Sequence, residues 1–296
     1  MQTPLSKSMT SLLLLLALQV ARAALSHGVC LHEDNSVRAL TRNANKPAAQ
    51  ALKNAGAEIV EADLTDRASL DEALKGVRAV FSVQDFLEAG VDKELRMGFN
   101  LTDAAGAAGV SHIVYSGAST IDRNTSAPHL DSKWQIEQRI RSLEIPWTVF
   151  RPAAFMDNWT WDREAIEHDG VITLPLRTDT VYRQVAVADI AAMVVIALER
   201  PDIWIGQIAP LAGEVSTSIE IAGIFSRVMG REIRYEQMSW ETCRKTQGED
   251  LTLMYRYFDQ FGMDGDPRYL KRWHIGFLTL EDFLRAEGWG KPASGA

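Results

Sequence analysis

At 296 residues, with 46% hydrophobic and 24% charged side chains, the chain has an ordinary globular composition and enough length to bury a sizeable core. Its net charge of −8 excludes broad nucleic-acid binding, which needs concentrated Lys and Arg, yet allows a local basic pocket for one small phosphate. Two cysteines, and histidines without H-x-x-x-H or H-x-H spacing, give neither a disulfide framework nor a metal site; Cys30 and Cys243 read as unpaired thiols of a reducing compartment.

Residues 1–35 form an atypical N-terminal segment with two readings. Leu12 to Val20 is a short apolar run between Lys7 and Ala21-Arg22-Ala23, the outline of a secretory signal peptide. It falls short of the roughly 20 apolar residues that span a bilayer. Leu16 to His27 also has helical spacing and strong helix formers, as the first helix of a nucleotide-binding domain would. N-x-S/T sequons occur at Asn100, Asn124 and Asn158; the first falls in an expected helix and the last beside an expected cleft, poor places for a glycan. The balance favours a cytoplasmic protein, with secretion as the alternative.

Ser36 to Lys46 (SVRALTRNANK) reads as a buried strand running into a basic turn. An Arg ending the second strand of a dinucleotide-binding domain accommodates a 2′-phosphate, where Asp or Glu would hold the free ribose hydroxyl of NAD. Arg42 and Lys46 can bracket such a phosphate with two charges; they also suit two solvated cations on a loop. No G-x-G-x-x-G precedes this strand. Residues 1–35 hold one glycine, Gly28, and leucines stand where a phosphate-cradling loop belongs.

The chain then alternates. Ala48 to Ala55 reads as a helix, Glu58 to Glu61 as a strand, Ser69 to Leu74 as a helix and Ala79 to Val83 as an apolar strand. Lys93 to Ala108 is a long helix, His112 to Ser116 a buried strand, Ser132 to Leu143 a helix and Trp147 to Phe150 a strand. This rhythm predicts an α/β fold, a Rossmann-like doubly wound parallel sheet over residues 36–160. Residues 161–296 read as a smaller α+β substrate-side lobe interleaved with the sheet edge. Its expected strands are Gly170–Leu174, Arg183–Val187 and Gln207–Leu211, and its expected helices are Val187–Leu198 and Ser218–Met229. Residues 240–290 read as mostly helical, with Trp240, Tyr255, Tyr257, Phe258, Trp273, Phe277, Phe283 and Trp289 forming core or the wall of a substrate pocket.

In open sheets of this kind ligands bind outside the carboxyl ends of the strands. Asp63 and Leu64 follow one such end, where an adenine docks, and Gln84, Asp85 and Phe86 follow another. Ser116 ends a buried strand, and His129 and Lys133 lie one turn apart on one helix face. A Lys so placed can hold ribose hydroxyls and favour a nearby acid, while a hydroxyl polarises a substrate carbonyl. Taken singly, His129 also reads as a polar helix-start residue and Lys133 as a solvated lysine. Arg151-Pro152 is expected to turn the chain over the crevice, with Phe155 and Asn158 as walls.

These residues, in this order, resemble the NmrA-like family, atypical members of the short-chain dehydrogenase/reductase superfamily, with isoflavone-reductase-like enzymes more distant. The resemblance runs from about Ser36 to Trp289 and is carried by VRALTRNANKPAAQAL, GAEIVEADLTD, HIVYSG, HLDSKWQIEQRIRSLEIPWTVFRPAAFMDNW and VAVADIAAMV. It implies NADP(H), with Arg42 and Lys46 at the 2′-phosphate. It also implies cofactor contacts from Asp63, Leu64, Gln84, Asp85, Phe86, Lys133, Phe155 and Asn158, and sets Arg96 near a family lysine. Two departures stand out. Thr10–Leu18 replaces the family's first strand and G-x-x-G-x-x-G loop, and His129 replaces the Tyr of Y-x-x-x-K. A His can donate a proton near neutral pH.

Three functions follow from this resemblance. One is an NADP(H)-dependent oxidoreductase using Lys133, Ser116 and His129 on a small, apolar organic molecule, in keeping with secondary metabolism. Another is a non-catalytic NADP(H) redox sensor regulating a partner protein. The third is a secreted or nucleotide-free protein built from a degraded domain. None calls for a metal or a nucleic-acid partner.

Overall fold

The computed structural model describes residues 37–270, 273 and 276–291. The leader-like or first-helix segment, the altered glycine loop and Cys30 lie outside these residues.

Strand β1 (Arg38–Thr41) leads into helix α1 (Pro47–Asn54), β2 (Glu58–Glu61), α2 (Arg67–Ala73) and β3 (Ala79–Ser82). Helices α3 (Phe86–Ala89) and α4 (Val91–Ala108) follow, then β4 (His112–Ser116), α5 (Pro128–Ser142), β5 (Trp147–Pro152) and β6 (Ala154–Phe155). A 3-10 helix (Met156–Trp161) precedes α6 (Arg163–Asp169), β7 (Val171–Leu174), β8 (Val181–Val185), α7 (Val187–Glu199) and α8 (Pro201–Trp204). The rest comprises β9 (Ile208–Leu211), β10 (Glu214–Thr217), α9 (Ser218–Met229), β11 (Arg234–Gln237), α10 (Trp240–Gln247), α11 (Glu249–Phe261), α12 (Pro267–Leu270) and α13 (Leu280–Ala286).

Strands β3, β4, β5 and β9 form a parallel sheet in that order, and β1 pairs in parallel with β2. Alternation along β4 shows why helices cover both faces. Val114 packs into a core with α7, whereas Ile113 and Tyr115 pack into a second core with Leu70, Leu101, Ala104 and Ile136 of α2, α4 and α5. A strand buried on both sides reads as a continuous apolar run, which is how β4 looks in the sequence. A third core gathers Met156, Trp159, Leu174, Tyr182, Phe225, Phe258, Phe283 and Trp289 around two small sheets, β10-β8-β6 and β7-β11.

Local chemistry sets the ends of these elements. Asp66 and Asp85 cap α2 and α3 by accepting from the amides of Ala68 and Leu87. Thr217 and Glu220 form a capping box at α9. Gly109 ends α4 at φ 69°, a left-handed conformation that favours glycine.

Three expectations are corrected. Helix α5 starts at Pro128 and not at Ser132, because proline is pre-shaped for the first helical position; His129 and Lys133 do lie one turn apart on it. Arg151-Pro152 does not turn the chain: β5 continues through both residues, paired with Pro210 and Leu211 of β9. Strand β8 spans Val181–Val185, since Ala186 and Val187 already open α7. The charged strand β11 and the short β6 and β10 are absent from the sequence reading. Arg234–Gln237 is largely exposed and lacks the apolar alternation that marks a half-buried strand. Among the described residues, no helix is long and apolar enough to cross a membrane.

Candidate active site

The carboxyl ends of β3, β4, β5 and β6 converge on a cavity of about 600 Å³. Six residues singled out in the sequence line it: Phe86, Ser116, His129, Lys133, Phe155 and Asn158. The other six lie outside that lining. Arg42 and Lys46 are exposed in the turn after β1, a turn held by Asn43 and by Glu61, which accepts from the Ala44 amide at 2.8 Å. Asp63 accepts from the amide and hydroxyl of Thr65, both at 2.8 Å. These bonds, and beyond them the charges of Arg42 and Lys93, hold its carboxyl below the usual value against the cost of burial. Leu64 packs against the α2–α4 core and its carbonyl accepts from Asn100. Arg96 donates to the Thr65 carbonyl in the same region.

Gln84 and Asp85 sit where β3 ends. Gln84 Nε2 donates to Ser82 Oγ at 2.9 Å, and Asp85 Oδ1 caps α3. Their remaining oxygens, Gln84 Oε1 and Asp85 Oδ2, are buried without a protein partner, as is Asn158 Oδ1. Buried acceptors of this kind are uncommon in folded proteins and need a donor from water, an ion or a ligand.

Two carboxylates that sequence reading missed organise the cations that line the cavity. Glu94, in the first turn of α4, is fully buried; it accepts from Ser132 Oγ at 2.5 Å and is ion-paired with Lys133 Nζ. Lys133 Nζ also lies 5.8 Å from the centre of the Phe86 ring. Asp250, in the first turn of α11, accepts from the His129 backbone N–H at 3.1 Å and from its ring Nδ1 at 2.6 Å. The imidazole stacks on Phe86 with ring centres 4.3 Å apart and planes 16° from parallel. One ring nitrogen is thereby fixed by a carboxylate and the ring plane by an aromatic face. Glu and Asp in a helix's first turn are the expected solvated, dipole-favoured residues, so nothing local distinguishes these two.

Beyond this polar end the cavity is walled by Leu174, Met238, Leu251, Met254, Tyr255, Phe258 and Met263, largely from α11 and its neighbours. The C-terminal aromatics therefore serve two purposes: Phe258 and Tyr255 line the chamber, while Phe283 and Trp289 are core. A fixed ammonium, a carboxylate-held imidazole and a hydroxyl at the mouth of an apolar chamber can orient a polar group and exchange one proton with it. Among the described residues, no group of His, Cys, Asp and Glu is placed to hold a metal ion.

Residues 16–284 match the NmrA-like family. The chain belongs to the NmrA-like family. Two reductases are 31% identical to it. The (4-alkanoyl-5-oxo-2,5-dihydrofuran-3-yl)methyl phosphate reductase of Streptomyces griseus matches over 72% of this chain and 73% of its own length. The NAD(P)H azoreductase of Xenophilus azovorans matches over 70% of each. The triphenylmethane reductase of Citrobacter sp., solved with NADP(H), has the same fold, with a TM-score of 0.77 over 90% of this chain and 95% of that one at 20% identity. This NmrA-like chain thus has an α/β, Rossmann-type architecture, with His129 standing four residues before Lys133 on α5.

Proposed function

We propose that this NmrA-like protein is an NADP(H)-dependent oxidoreductase acting on a small, largely apolar organic molecule. The observation that carries the reading is a single cavity that joins Lys133, His129 and Ser116 to an apolar chamber. The exposed cations Arg42 and Lys46 after β1, and the unpartnered oxygens of Gln84, Asp85 and Asn158, fit a dinucleotide laid across the strand ends. The names of the two 31%-identical relatives, both reductases, point the same way. Residues 36–160 would hold the nucleotide, and residues 161–296 would supply most of the chamber.

When bound, the dinucleotide supplies or accepts the hydride. Lys133, anchored by Glu94, orients the ribose; Ser116 polarises the substrate oxygen; His129, oriented by Asp250, exchanges the proton. Calorimetric titration with NADPH, with Arg42→Ala as control, tests the cofactor half of this reading. Micromolar binding, weakened about tenfold in the variant, is expected for loss of one charge-assisted phosphate contact. Absence of binding at millimolar nucleotide overturns it. NADPH oxidation against a panel of carbonyls and enones tests the rest.

Binding without turnover across that panel would favour the second reading, a non-catalytic NADP(H) sensor of a partner protein. The observation on its side is the buried Glu94, which already neutralises the Lys133 ammonium.

A further inference from the structure

The chamber wall carries a polar group that nucleotide binding leaves unused. Gln184, the penultimate residue of β8, is fully buried and lines the cavity. Its amide has a defined orientation. Trp159 Nε1, which can only donate, gives its hydrogen to Gln184 Oε1 at 2.5 Å. Gln184 Nε2 therefore faces away from that bond, and it has no protein partner. Beside it, Tyr182 and Tyr255 line the same cavity and hydrogen-bond each other through their hydroxyls. Such a pair spends one of its two hydrogens internally and keeps the other to donate. Burial raises both phenols above their ordinary value, so both remain protonated. This part of the wall thus offers donors among Leu174, Met254 and Phe258, with the Asp162 carboxyl also lining the cavity.

We propose that Gln184 Nε2 receives a carbonyl oxygen on the body of the substrate, apart from the reacting oxygen that Ser116 polarises, which makes the preferred ligand an aromatic body bearing a ketone and not its hydrocarbon counterpart. This rests on the cavity being the substrate chamber of an oxidoreductase. A buried donor with no partner gains fully from a ligand acceptor, and a site built this way discriminates strongly against analogues that lack it.

The test compares 2-acetylnaphthalene with 2-ethylnaphthalene, alike in body and differing by one oxygen, by quenching of the intrinsic tryptophan fluorescence of the full chain without nucleotide. The wild type is expected to prefer the ketone by about tenfold or more. In Gln184→Met, whose thioether still accepts weakly from Trp159 but donates nothing, that preference should vanish while hydrocarbon binding stays within about twofold. Retained hydrocarbon binding also shows that the variant is folded. No ketone preference in the wild type, no ketone binding, or the same preference in both proteins overturns the proposal. Because no nucleotide is present, a failed NADPH titration would remove the oxidoreductase reading without touching this result.

Discussion

Asp250 and His129, 121 residues apart in sequence, are joined by two hydrogen bonds, one to the backbone amide and one to ring Nδ1. The carboxylate so caps the start of α5 and sets the imidazole in one orientation, with the Phe86 ring closing off one face. A carboxylate on Nδ1 assigns the hydrogen there.

Asp250→Asn removes that charge while keeping the shape. If Asp250 positions a proton-exchanging His129, kcat for NADPH-dependent reduction should fall about tenfold to a hundredfold, with KM and the NADPH Kd within about twofold. Asp250→Glu should recover part of the rate. A purely structural cap would lower the melting temperature and leave kcat per folded molecule unchanged, which steady-state kinetics alongside thermal denaturation would reveal.

Much of this site is visible in the sequence because strand ends are visible. HIVYS announces a buried strand, so Ser116 falls at its carboxyl edge; a helix over the next apolar pattern sets His129 and Lys133 one turn apart. These residues, with Phe155 and Asn158, do meet at one cavity. What stays hidden is pairing across the fold. Glu94 lies 39 residues from Lys133 and Asp250 lies 121 from His129, and neither carboxylate differs locally from a solvated helix residue. Gln184 is hidden for a related reason, since a polar residue in a strand normally faces water and only the Trp159 contact shows that it does not.

The Lys133–Glu94 pair complicates the obvious test of Lys133. Glu94 is fully buried, so Lys133→Met strands a carboxylate away from water, at a cost of about 3–5 kcal/mol. Glu94→Gln in the same chain removes the stranded charge, and the double variant is expected to recover at least about 2 kcal/mol of that loss. Urea unfolding of both single variants, the double variant and the wild type measures the coupling. Equal stability of Lys133→Met and the double variant would show that the pair does not carry this energy. Loss of NADPH turnover in the double variant, at near-normal stability, is then attributable to the ammonium itself.

His112 predicts a pH dependence of stability. Its ring is buried, and Nε2 lies 2.9 Å from Thr148 Oγ1. Thr148 donates its hydrogen to the Trp204 carbonyl at 2.7 Å, so it accepts from a neutral His112 Nε2–H. Burial, then the Arg78 charge, pushes the imidazole from 6.5 down to about 4. The unfolded chain therefore binds a proton at a higher pH than the folded one. The contribution is fully present above 6.5 and is lost as pH falls from there to about 4, amounting to roughly 3 kcal/mol. Asp157 and Asp162, whose carboxyls burial pushes up, act in the opposite direction near the lower end of this range. His112→Gln, which keeps a donor for Thr148, isolates the effect. Denaturant unfolding at pH 7.5 and pH 5 should show a smaller loss in the variant than in the wild type, and equal losses would refute the assignment.

Gly98 sets how closely α4 and α5 approach, and through them how Glu94 meets Lys133. Glu94, Gly98, Leu101, Thr102 and Ala105 form the buried stripe of α4. A Cβ at Gly98 would lie 2.4–2.9 Å from three side-chain carbons of the fully buried Ile136 on α5. Two effects of Gly98→Ala oppose each other. Alanine gains about 1 kcal/mol of helix propensity, whereas overpacking a tight contact costs about 1–3 kcal/mol. Ile136 is enclosed, so overpacking wins and the variant should lose about 1 kcal/mol or slightly more, read as a melting temperature lower by about 2–4 °C. The same displacement moves Glu94, one turn away on the same face, relative to Lys133, so NADPH-dependent turnover should fall further than stability alone explains. A melting temperature that rises instead would show that the helices yield at this contact, and that the Glu94–Lys133 geometry does not depend on it.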